Sequence, residues 1–387
     1  MALTLNASVT FILTIVAGFL LTVLLLARSN NITSSQCTFN FKPIVYSKIF
    51  FPNGRHLGEP TRNFVFIKTH KTGGSSIRNM LRNVIKTYHL IEVVPKRWSY
   101  GFGPNFDPSR YYHRHRPGEY NALIEHSRFT PKITNNLIRN PVYFTVLRNP
   151  ETRFLSAFDY YPEIRKCAGG IDVTPLDVLD NPSLYYSKLQ NCKQHYLIMN
   201  SMAYEMGINA PYSESDVRAK IEEMEKEFSL VMILEYSEES IVMLRRTMNW
   251  KLSDVVNVPS NSHPDFKSGD KNASDYEKLI AHHEAKVLKE KHKKVLRQWM
   301  HADFLIYEHF LKVFQTKIRK EEESTGDFLV EVQMYKEAMV ALCKGKTLPI
   351  LKIPLSKRSH RHQVRPLMAK WYEKLETNSA LKVRVYH

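Results

Sequence analysis

The sequence predicts an α/β protein with a P-loop-like parallel β-sheet flanked by helices. Two patterns carry this expectation. Short apolar runs at Phe64–Ile67, Val142–Leu147 and Leu230–Leu234 are each followed by a helical stretch, and strands that alternate with helices build parallel sheets. The first run leads into a turn rich in lysine, glycine and hydroxyls, the strand–turn–helix pattern of an anion site. A chain of 387 residues, 43% hydrophobic and 24% charged, can bury one large core or two smaller ones.

Met1–Ala27 has no charged side chain, and 9–27 is almost wholly apolar. That length spans a bilayer, which takes roughly 20 residues. The basic start and clear cleavage site of a secretory signal are missing, which favours an uncleaved transmembrane anchor. Residues 1–8 then form a short cytoplasmic tail and 28–62, polar with Asn, Ser, Pro and Gly, a stem. Arg28, just after the span, weakly favours the opposite orientation by the positive-inside rule. The sequons Asn31-Ile32-Thr33 and Asn272-Ala273-Ser274 favour a lumenal body, and that orientation is adopted.

The body, 63–320, opens with the Phe64 strand, a turn at Lys68–Ser76 and a helix over Ile77–Lys86. Tyr100–Gly118 reads as a surface loop whose aromatics could pack or meet a sugar. Ala122–Glu125 reads as a short strand ending at His126. Val142–Leu147 is a buried strand, followed by Pro150 in a favoured first-turn position and a helix over Glu151–Tyr160. Gly169–Pro182 reads as a loop. A helix at Glu214–Phe228, a strand at Leu230–Leu234 and a helix at Glu238–Met248 follow, and Tyr276–Phe314 is mostly helical. Residues 321–387 form a basic extension.

In an open parallel sheet, ligands bind beyond the carboxyl ends of the strands. That rule gathers Lys68–Ser76, His126 and Arg148 at one edge. Lys71, Thr72, Gly73, Gly74, Ser75 and Ser76 offer charge, hydroxyls and a backbone that can approach an anion closely. The lysine precedes the glycines, so this is not the G-x-x-x-x-G-K-[ST] loop of nucleoside triphosphatases. In the second motif, Arg148 ends a strand and Ser156 follows two turns into the next helix. A guanidinium fork and a hydroxyl could bracket a second phosphate, and Arg153 adds positive charge.

Together, K-T-G-G-S-S (71–76) and L-R-N-P-E-T-R-F-L-S (147–156) resemble the two nucleotide motifs of sulfotransferases that use 3′-phosphoadenosine 5′-phosphosulfate (PAPS). F-I-K-T-H-K-T (66–72), E-H-S-R-F (125–129), N-P-S-L-Y-Y (181–186) and L-E-Y-S-E-E-S-I-V-M-L (234–244) are similar to the galactose 3-O-sulfotransferases, over roughly Asn63–Val256. The resemblance implies a sulfotransferase fold. Residues 71–76 would hold the 5′-phosphosulfate, Arg148 and Ser156 the 3′-phosphate, and His126 would be the base. Lys71 would also stabilise charge on the leaving oxygen. It further implies a Golgi membrane enzyme of type II topology and a galactose-terminated acceptor, with a glycolipid such as galactosylceramide favoured over a glycoprotein glycan. Gly73-Gly74 and the neighbours of His126 depart from the family's usual residues.

The net charge of +17 leaves other readings open. One is a uronyl 2-O-sulfotransferase acting on glycosaminoglycans. Another is a polyanion-binding membrane protein without catalysis, since 344–387 holds eleven Lys/Arg against two Asp/Glu. An N-terminal span argues against nucleic acid as the partner. Oligomeric state is open, with a homo-oligomer as one alternative. No metal is expected, because His113 and His115 stand among few carboxylates. Cys37, Cys167, Cys192 and Cys343 allow three pairings into two disulfides, or free thiols. His70 is a second candidate base, and Lys68 could be simply the polar end of its strand.

Overall fold

A computed structural model describes residues 58–96, 110–256 and 288–343. The apolar run 9–27, most of the stem, both sequons, Cys37 and the basic tail after 343 lie outside the described residues. Among the described residues, no helix is long and apolar enough to cross a membrane.

Four parallel strands form one sheet in the order β2-β1-β3-β4. They are β1 (Phe64–Ile67), β2 (Ala122–Leu123), β3 (Val142–Leu147) and β4 (Phe228–Ile233). Register pairs Phe64 with Ala122 on one side and with Val142 on the other. β1 is buried along its whole length and β3 after its first residue, as expected for strands covered on both faces. Phe66 stacks on Phe144, and Phe64 meets the edge of the fully buried Trp250, whose Nε1 donates to the Thr61 carbonyl at 3.0 Å.

The helices are α1 (Gly74–Thr87), α2 (Pro131–Leu137), α3 (Pro150–Tyr160), α4 (Pro162–Ala168), α5 (Pro175–Asp180), α6 (Pro182–Gln190), α7 (Ser201–Glu205), α8 (Glu214–Glu227), α9 (Ser237–Met248), α10 (Leu252–Val255), α11 (Glu290–Trp299), α12 (His301–Thr325) and α13 (Phe328–Cys343). Asn149 caps α3 through its side chain, and Pro150 follows at the first position, where a missing N–H costs nothing. α13 is tied to α9 by charge. Arg246 donates to Glu321, Asp327 and Glu331, and Arg245 to Glu331.

Several expectations change in detail. The strand expected over Ala122–Glu125 is only two residues long. The loop expected over Gly169–Pro182 contains α5, started by a reciprocal capping box between Thr174 and Asp177. A second hydrophobic cluster, with Phe154, Phe158, Ile164, Leu296 and Met300, packs α3–α6 against α11 and α12. Cys167 and Cys192 form a disulfide within that layer, joining α4 to the turn after α6, so one of the open pairings is settled.

Candidate active site

All four strands deliver a polar segment to the same edge of the sheet. β1 is followed at once by Lys68, β3 by Arg148 and β4 by Leu234-Glu235, and the chain runs on from β2 to His126.

The loop after β1 is an anion cradle in its backbone. Lys71 (φ 62°) and Gly73 (φ 78°) are left-handed, and such alternation turns successive N–H groups toward one point. Gly73 also caps α1, so the N-cap brings no side-chain cap, and no acidic residue stands in the first turn. The helix dipole therefore faces the cradle unopposed. A Cβ on Gly73 would stand 2.7 Å from Leu234 Cδ1, and one on Gly74 would stand 3.0 Å from Lys68 Cγ. A side chain at either position would require Leu234 or Lys68 to shift. Ser75 and Ser76 lie half-buried in the first turn of α1. Thr72 differs from expectation. Its hydroxyl is buried against Thr69 Oγ1 at 2.7 Å, and Thr69 bonds in turn to the Val146 carbonyl. Thr72 thus offers the cradle its backbone, while its side chain pins the loop to β3. Lys71 Nζ lies 3.7 Å over the ring of Tyr160, which is 60% exposed.

Arg148 joins the two motifs. Its Nη1 donates to the Lys71 carbonyl at 3.2 Å and its Nε to Thr152 Oγ1 at 2.9 Å. Ser156 is half-buried on α3, one turn beyond Thr152 on the same face. Arg153 is a correction. Its guanidinium is fully buried and does not line the cradle, donating instead to the Leu197 and Ile198 carbonyls, with Asp303 3.5 Å from its Nε, although its charge still acts on His70.

His126 lies beside the cradle, and one residue engages both of its ring nitrogens. Nδ1 is 2.9 Å from the Lys68 carbonyl and Nε2 is 2.6 Å from Lys68 Nζ. A carbonyl can only accept, so Nδ1 carries the proton and Nε2 presents its lone pair to the ammonium. Burial, with His70 and Lys68 nearby, pushes His126 well below the usual histidine range, so it is neutral near pH 7. Burial and the Arg78 charge lower Lys68 to about 8.

Groups that sequence reasoning passed over or left open complete the site. His70 stacks on His126 with ring centroids 3.8 Å apart and 13° between planes. Glu205, at the end of α7, accepts from the His70 backbone N–H at 3.0 Å and meets His70 Nδ1 with its other oxygen. Burial raises Glu205 to about 8 and lowers His70 to about 3. Nothing local signals Glu205, which lies 135 positions from its partner. The E-H-S-R-F stretch also holds it in place. Arg128 donates to the Tyr204 and Ile208 carbonyls, and the Phe129 N–H donates to the Glu205 carbonyl. Glu125 is bound by Arg78 and Arg82 at 3.2 and 2.6 Å.

His70, His126 and Glu205 offer ligand atoms within 4.8 Å of one another. Imidazole lone pairs lie in the ring plane, however, and two nearly parallel stacked planes do not meet at one ion. The cluster therefore suits proton handling better than metal binding.

Comparison with known proteins places this geometry in a family. The model of the galactose-3-O-sulfotransferase family matches residues 3–348. Galactose-3-O-sulfotransferase 2 of Mus musculus is 30% identical over 299 residues, which span 73% of this chain and 70% of that protein. The Sus scrofa counterpart is 29% identical over 75% of this chain and 71% of its own length. Galactosylceramide sulfotransferase of Homo sapiens is 32% identical over 215 residues, covering 54% of this chain and half of that protein. The family match runs through every element that builds the cradle and carries His126, and the chain belongs to the galactose-3-O-sulfotransferase family.

Proposed function

We propose that this chain transfers the sulfuryl group of PAPS to the 3-hydroxyl of a terminal galactose. One observation carries the reading. An uncapped, glycine-built anion cradle lies against a neutral histidine whose basic nitrogen is fixed as Nε2.

The residues fit the donor. The cradle N–H groups, with Ser75 and Ser76, would hold the 5′-phosphosulfate, and Thr72 would contribute through its backbone. Arg148 and Ser156 would hold the 3′-phosphate by a guanidinium fork and a hydroxyl. The donor, when bound, supplies a sulfuryl group on a phosphate leaving group. His126 Nε2 would take the proton of the sugar hydroxyl as its oxygen bonds to sulfur. Lys71 would turn from the Tyr160 face to the phosphate oxygen whose bond to sulfur breaks, and its charge would stabilise that oxygen.

We propose a galactose-terminated glycolipid such as galactosylceramide as the acceptor. The setting we propose is the Golgi membrane, with 9–27 as anchor and the body lumenal. The apolar run, the sequons and a disulfide that suits an oxidising compartment support that placement. The test is incubation of the detergent-solubilised chain with radiolabelled PAPS and, separately, galactosylceramide, lactose, N-acetyllactosamine and a heparan precursor. Label on galactosides that is lost in His126→Ala is the expected result. Label on heparan alone would move the activity to uronyl 2-O-transfer. Label on lactose or N-acetyllactosamine with none on galactosylceramide would overturn the glycolipid assignment.

A further inference from the structure

Lys68 is the most unusual group at the site. Its side chain is buried, and among the described residues no carboxylate lies within ion-pair distance of its ammonium. The two acidic groups nearest in effect already have partners, Glu125 with Arg78 and Arg82 and Glu205 with His70. Its hydrogen-bond partner is a neutral imidazole. A buried cation without a counter-ion is costly, and an ordinary strand-end lysine would turn its head to water. The stem shows where the charge can go. It crosses the first residue of α1, with Cγ 3.0 Å and Cε 3.6 Å from the space where a Cβ on Gly74 would stand. The ammonium thus meets His126 Nε2 while its stem lies against the first residue of α1. Rotation about its last side-chain bonds would turn Nζ away from Nε2 while the stem stays in place.

We propose that Lys68 is a second catalytic lysine: it holds His126 Nε2 before donor binds, then moves to an oxygen of the transferring sulfuryl group and frees Nε2 for the acceptor hydroxyl. This rests on the donor reading above and adds a distinct role for a residue outside both nucleotide motifs. No covalent bond to Lys68 is made. It donates a hydrogen bond to the sulfuryl oxygen while His126 takes the hydroxyl proton. The arrangement makes the base available only once the sulfuryl group is in place, which protects it from engaging acceptor unproductively.

The test compares two nucleotides on wild type and Lys68→Met by calorimetry. PAPS carries the sulfuryl group and adenosine 3′,5′-bisphosphate lacks it. A hydrogen bond to a charged group is worth about 1.5–3 kcal/mol, so Lys68→Met should weaken PAPS by ~10- to 100-fold while leaving the bisphosphate nearly unchanged. Retained bisphosphate binding also shows that the variant is folded. Carbethoxylation of His126, read by peptide mass spectrometry without nucleotide, should be several-fold faster in Lys68→Met, because Nε2 is uncovered. Equal losses for both nucleotides, no loss for PAPS, or an unchanged His126 rate would overturn the proposal. Wild type that binds neither nucleotide would instead overturn the donor reading on which it rests.

Discussion

Replacing Glu205 by glutamine should change how stability depends on pH, and the structure gives the size of the effect. The Glu205 carboxyl is fully buried and bonded twice to His70. Burial raises it from 4.5 to about 8 and lowers His70 from 6.5 to about 3. In the fold, therefore, the pair holds one proton across that whole interval. In the unfolded chain it also holds one proton between 4.5 and 6.5, on histidine, so stability there is flat. Between 6.5 and about 8 the unfolded pair has released its proton and the folded pair has not, so stability falls as pH rises. Over about 1.5 pH units at ~1.4 kcal/mol each, the loss is about 2 kcal/mol. Urea unfolding followed by tryptophan fluorescence at about pH 6 and about pH 8.5 would read this slope directly. Lys68 and His126, both lowered in the fold, add stability over the same range in both proteins, so the Glu205 contribution is read as the difference: wild type should lose about 2 kcal/mol relative to Glu205→Gln. Glu205→Gln has no carboxyl to ionise, so it should stay level or gain slightly as the unfolded histidine discharges. Parallel profiles for the two proteins would refute the placement of the shared proton.

Other outcomes follow from the same geometry. His126→Ala should lower kcat by ~10²–10⁴ while nucleotide affinity by calorimetry holds. The kcat/KM–pH profile, which reports the free enzyme, should have its acid limb below the ordinary histidine range, because His126 is pushed down, and its alkaline limb near 8, where Lys68 loses its charge. Gly73→Ala forces a side chain into left-handed backbone against Leu234. It should cost about 1–3 kcal/mol in chemical denaturation and also weaken nucleotide binding. Asp303→Ala strands a fully buried Arg153 and should cost about 3–5 kcal/mol by the same assay.

What could be read from the sequence is what is contiguous in it. The β1–cradle–α1 unit and the β3–Arg148–α3 unit each lie within about twenty residues, where strand runs, turn residues and caps act locally. The strand rule also correctly brought Lys68–Ser76, His126 and Arg148 to one edge. α5 was readable too, since T-P-L-D at 174–177 is a helix start, but loop composition on either side obscured it. Arg153 could have been placed inside. It precedes Phe154 and lies one turn before Ala157, on the face that α3 buries. Glu205 and its pairing with His70 could not be read, because they depend on α7 being set under the cradle by contacts from Arg128 and Asp303. The split of the Lys68 backbone and side chain across the two nitrogens of His126 likewise exists only after β1 and β2 pair.

That split explains why the cradle and the base behave as one unit. The Lys68 carbonyl fixes the tautomer of His126, and the next residues of the same strand end form the turn that would hold the sulfate donor. A shift of the β1 end would therefore disturb anion binding and base orientation together. The surrounding carboxylates are arranged to leave the cradle positive. Glu125 is engaged by arginines, Glu205 shares a proton with His70, and Glu235 accepts from the Asn149 N–H and the Tyr307 hydroxyl. An acid left ionised and unpartnered at this edge would oppose a polyanionic nucleotide directly. Held in this way, these acids do not oppose the lysine and arginine charges of the strand ends, and the neutral imidazole beside them can accept a proton without first losing one.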